Sequence, residues 1–106
     1  MSVGIIQGNV GSITILSATV DLGSVAANTT ETETATVTGL KTTDIILGVK
    51  PTLEAGLLIG TCWCSAADTV SIQVANLTGG AIDEASETWQ FIVFRPDGAA
   101  AGRVLT

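Results

Sequence analysis

Two cysteines flank a tryptophan in the stretch TCWCSAAD (residues 61–68), the place where a metal site or a redox pair would be sought first. On an extended strand Cys62 and Cys64, two residues apart, point to the same face. Their Cα atoms then lie about 6.5 Å apart with parallel Cβ vectors, near the upper limit for a disulfide, so the strand would have to buckle to close one. Zinc would need two further ligands, and the chain has no histidine and no third cysteine. The C-x-C spacing also lacks the helix N-terminus that activates a thiol in the C-x-x-C arrangement. The pair therefore reads as two small apolar fillers of one strand face, with Trp63 on the other.

Other chemistry is equally thin. Without histidine there is no Ser-His-Asp or Cys-His constellation. Glu31 and Glu33 alternate with threonines and read as a solvated strand face. Asp83, Glu84 and Glu87 follow Gly79-Gly80 in an acidic loop without the regular Asp/Asn spacing of a calcium loop. Asn28-Thr29-Thr30 and Asn76-Leu77-Thr78 match the glycosylation sequon, which has meaning only on a secretory route. No glycine pattern that cradles phosphate precedes a helix. The expectation is a protein that is not an enzyme and holds no metal and no cofactor.

The elements that position these residues are strands. Residues 13–22 (ITILSATVDL) set Leu16, Ala18, Val20 and Leu22 on one face. After a turn-like break over 23–28, residues 29–40 (TTETETATVTGL) alternate again, threonines one way and Glu31, Glu33, Ala35 and Val37 the other. Short apolar strands are predicted over 44–49 and 57–64, separated by Pro51. Residues 69–77 turn Val70, Ile72 and Val74 inward, and 88–95 do so with Trp89, Phe91 and Val93. No window carries a helical apolar stripe. The spacing predicts an all-β fold, a compact antiparallel β-sandwich of immunoglobulin-like or jelly-roll-like kind. An extended arm is expected over 1–12, the sandwich over 13–96 and a flexible tail over 97–106. Its predicted core is Val20, Val70, Ile72, Val74, Trp89, Phe91 and Val93.

Ile92 and Phe94 point away from that core, so an arm, a loop or another subunit must cover them. Composition adds to this: only 13% of the 106 residues are charged and 46% are hydrophobic, a balance that favours association over a solvated surface. The net charge of −6, with four scattered basic residues, argues against nucleic acid. Nothing after Met1 suggests a signal peptide or a membrane span, so synthesis in a cytoplasm is expected. The N-terminal segment, with Val3, Ile5, Ile6 and Val10, is expected to order only where something holds it, and the tail with Val104-Leu105 is expected to be mobile or to reach a neighbour. Alternatively, Trp63 and Trp89 would be exposed stacking platforms of a carbohydrate- or surface-binding module.

The chain carries G-S-V-A-A-N-T-T at 23–30, Thr38-Gly39-Leu40, Ala55-Gly56-Leu57, S-A-A-D-T-V at 65–70, Asn76-Leu77-Thr78, and an aromatic strand ending at Arg95. Together these motifs resemble those of small structural proteins of tailed bacteriophages. The likeness spans roughly residues 13–95, and the Cys-Trp-Cys stretch departs from it. It implies a virion protein made in the bacterial host, most like a head decoration (cement) protein on the capsid exterior. The implied partners are the phage major capsid protein and further copies of the chain, often as a trimer, with a terminal arm lying on the shell: the N-terminal segment with Val3, Ile5, Ile6 and Val10, or as the lesser candidate Val104-Leu105. A position in the tail, neck or fibre is the neighbouring implication.

Overall fold

The computed structural model describes residues 10–96. It is all-β and antiparallel, as the alternation predicts. The strands are β1 (Val10–Val20), β2 (Ser24–Val25), β3 (Thr29–Thr36), β4 (Ile45–Val49), β5 (Leu57–Ala66), β6 (Thr69–Asn76), β7 (Ile82–Asp83) and β8 (Glu87–Pro96). Six of them form one sheet in the order β1-β8-β4-β5-β6-β3, and β2 pairs with β7 as a separate ribbon. The first strand starts earlier than expected: Val10, Gly11 and Ser12, assigned from sequence to the arm, are strand, with Val10 opposite Pro96. Residues 1–9, with Val3, Ile5 and Ile6, and the tail 97–106 lie outside the described residues.

The six-stranded sheet becomes a sandwich by folding along one seam. Strands β4 and β5 share a single ladder position, Ile45 opposite Trp63, whereas the other neighbours pair over five or more. The layers β1-β8-β4 and β5-β6-β3 therefore close over a common core, and the outer edges β1 and β3 approach each other. That core holds Val20, Val70, Ile72, Val74, Trp89, Phe91 and Val93 together with Leu22, Val25, Val37, Leu40, Ile46, Leu57 and Ile82. The Trp89 and Phe91 rings stack with centroids 5.9 Å apart.

The turn motifs each have a structural task. Asn76 is fully buried, and its amide donates to Val25 O at 3.0 Å and Gly80 O at 2.8 Å. Its Oδ1 accepts from Thr78 N and Thr78 Oγ1, so both ends of the side-chain amide are satisfied. Gly56 has φ +91°, and a Cβ there would lie 2.2 Å from Thr78 Cγ2; only glycine fits. Asp68, in the left-handed region at φ 60°, accepts from Gly39 N through Oδ1 at 2.7 Å, and its amide donates to Leu40 O. The β5–β6 turn is thereby stapled to the loop that precedes β4.

That loop is held from its other side as well. The Asp44 carboxylate accepts from Arg95 Nε at 2.9 Å, Arg95 Nη2 at 2.8 Å and Lys41 N at 2.9 Å. The Arg95 hydrogen bonds hold the Asp44 carboxyl below its ordinary value of 3.8, although burial pushes the other way. Asp44 thus binds its proton less readily folded than unfolded. Its stabilisation is present above that ordinary value and is lost as pH falls through it and below. In thermal melts from neutral pH down to about pH 2, Asp44→Asn is expected to lower the midpoint near neutrality and flatten the acid limb. An unchanged acid limb would assign acid unfolding to other carboxylates.

Candidate interaction surface

The strand order brings together side chains that lie far apart in sequence. Because β8 inserts between β1 and β4, outward residues of four strands align in rows. Ile13 faces Phe94, Phe94 faces Ile45, and Ile45 faces Trp63. The next row is Ile15, Ile92 and Leu47, and the third is Ser17, Gln90 and Val49. Cross-strand neighbours of this kind have Cβ atoms about 5 Å apart, so the rows form a continuous patch. Ile13, Ile15, Ile45, Leu47, Val49 and Trp63 are all exposed, Ile15 to 64% and Trp63 to 40%, while Ile92 and Phe94 are half-buried between them. These positions carry no charge.

Among the described residues the charges flank this patch and none falls within its rows. Beyond one end of the patch, the Lys50 ammonium is nearly enclosed and lies 2.7 Å from Glu84 Oε1. It also meets Glu87, whose other oxygen accepts from the Thr52 hydroxyl. Burial opposes the charged form of Lys50, but Glu84 and Glu87 together outweigh it and raise its pKa above the lysine value. Two members of the acidic loop are therefore turned onto a lysine, while Asp83 is exposed in β7. Among the described residues no cluster of three or more His, Cys, Asp or Glu is placed to hold a metal ion.

Glu31 and Glu33 correct the sequence reading. Instead of a solvated face, they lie half-buried on the same side of β3 as Ala35, opposite Val74 and Ile72. Glu31 Oε2 accepts from Ala26 N at 3.1 Å. Burial, with the charges of Glu31 and Asp21, raises the Glu33 carboxyl above its ordinary range. Inward-pointing carboxylates on an edge strand discourage pairing with a stray strand. They guard the seam where β1 and β3 approach.

The Cys-Trp-Cys stretch is the middle of a strand with two different faces. Cys62 and Cys64 are free and buried, and Trp63 is on the outside. Burial pushes the Cys62 thiol above its ordinary pKa, away from the thiolate that nucleophilic or redox chemistry needs. The Cys64 thiol donates to Ala66 O at 2.9 Å. Trp89, by contrast, is fully buried with its Nε1 unpartnered, so it is no stacking platform and that half of the carbohydrate-module reading falls.

Of the candidate arm residues only Val10 is described, at the start of β1. Sequence reasoning flagged Ile92 and Phe94 but missed Ile13, Ile15, Ile45, Leu47 and Val49. The signal was present in 45–49, which is apolar at consecutive positions and hence on both faces. Compared with known proteins, the chain matches no family model, no curated protein and no solved structure.

Proposed function

We propose that the chain is a non-enzymatic structural protein of a bacteriophage particle that decorates the capsid exterior and cements it by bridging major capsid protein subunits. The observation that carries this reading is the uncharged apolar face of β1, β8, β4 and β5 on so small a domain, which suits a part that works inside an assembly, against its own copies or other subunits. Apolar patches this large on a monomer mark contact surfaces, so the domain works by association. The buried thiols and the lysine-paired carboxylates leave these polar groups occupied with structure instead of substrate. The resemblance of the turn motifs supplies the kind of particle. Cementing then follows from number: many symmetry-related copies turn individually modest contacts into strong retention on the shell.

Immunogold electron microscopy of particles from a lysate of the source, with antibody to the recombinant protein, tests the reading. Dense gold spread evenly over heads is the expected result. Gold confined to tails would move the domain to a tail or neck position, and particles without gold would overturn the proposal.

A further inference from the structure

We infer that the outer face of the β1-β8-β4 layer, with Trp63 at its corner, is covered by the same face of a second copy of this chain. The inference rests on reading that face as a contact surface, and it names what covers it. Three observations favour a second copy.

The first is area. Six side chains are each about half exposed, which offers on the order of 100 Å² apiece, or roughly 600 Å², before Ile92 and Phe94 are added; a standard interface takes ~800 Å² from each partner. A self-complementary contact would use nearly the whole patch on both sides. The second is charge. At a net charge of −6, two copies repel at a distance, and contact is least opposed through a face that adds no close like-charge pair; the three rows contain no ionisable group. A partner recognised by charge would find nothing here to read. The third is shape. The β1–β8 and β4–β8 ladders run through the three rows without a register shift, and sheet faces of this kind pack on one another about 10 Å apart in an aligned stack.

A face that meets its own copy about a two-fold axis closes after two copies. The product is therefore a dimer, not the trimer that the resemblance implies, and contact with a shell falls to other surfaces of the dimer.

Analytical ultracentrifugation of the full chain gives the test. The wild type is expected to sediment at twice the 10.7 kDa chain mass. Leu47→Glu and Ile15→Glu each place a charge in the stack, and because both copies carry it, self-association should weaken on the order of 100-fold or more. Both sites are exposed in the single chain, so far-UV circular dichroism and the melting curve should stay near wild type. Thr32→Glu, on the exposed polar face of β3, is the control and should remain dimeric. Acrylamide should quench tryptophan emission more strongly in Leu47→Glu than in wild type, because Trp63 is uncovered while Trp89 stays in the core.

A wild type that is monomeric at high micromolar concentration, or a dimer untouched by both variants, would overturn the inference. A monomer whose Leu47→Glu variant no longer decorates particles would assign the face to a shell subunit instead. The two readings fail separately: a dimer without gold on particles removes only the decoration role, and gold on heads with a monomeric protein removes only the dimer.

Discussion

Phe91→Ala is expected to destabilise the protein by about 4 kcal/mol, enough to bring a domain of this size close to unfolding at ambient temperature. The ring is fully buried, stacks on Trp89 and lies beside Cys62 and Gly48. Gly48, paired with Phe91 across the β4–β8 ladder, leaves the space that the ring occupies. A Cβ on residue 48 would come 2.9 Å from Cys62 Sγ and 3.1 Å from Phe91 Cε1. Gly48→Ala alone should therefore also be destabilising, by overpacking. Combined with Phe91→Ala, its methyl enters the vacated volume, and the double variant should melt above the additive expectation. Denaturant titrations of the two single variants and the double variant read this directly. Strict additivity would mean that the glycine is not there for the ring.

Lys50→Met should have an effect of similar size, about 3 kcal/mol, for an electrostatic reason. The lysine stem is almost fully enclosed and its ammonium serves Glu84 and Glu87 together. Removing it leaves two carboxylates facing each other between the loops that follow β4 and β7. The diagnostic is the sign of the pH dependence. In the wild type, hydrogen bonds from Lys50 and Thr52 hold the Glu87 carboxyl below its ordinary value of 4.5. Its stabilisation is lost as pH falls through that value and below. In Lys50→Met the partner that favours ionised Glu87 is gone and its carboxylate faces that of Glu84, so protonating Glu87 relieves repulsion instead of breaking an ion pair. The deficit relative to wild type should then shrink as pH falls towards 4.5 and below. A deficit that stays constant with pH would make Lys50 a packing residue and nothing more.

How far the sequence could be read depended on what each segment had to bury. Strands β6 and β8 were legible to within a residue or two: Val70, Ile72 and Val74 alternate with polar or smaller neighbours, and β8 is a run of aromatic and β-branched residues bounded by Pro96. Strand β3 was legible as a strand but not in its sidedness. Threonine suits either face, and only the phase shared with Ala35 and Val37 turns Glu31 and Glu33 toward the core side. Strands β2 and β7 have two residues each, too few for any period. They exist because Val25 and Ile82 enter the core and Asn76 ties Val25 to the end of β6. The apolar patch was the least legible feature, since it depends on β8 lying between β1 and β4. No local pattern records that neighbourhood.

The pairing of Val10 with Pro96 has a mechanical consequence. The first and last described residues are neighbours on adjacent antiparallel strands, so tension applied through the flanking chain acts across the β1–β8 ladder from one end. Hydrogen bonds loaded in that way break singly and in sequence, like the teeth of a zipper, instead of sharing the force as they do in shear. The domain is weak as a link in a chain pulled by its ends.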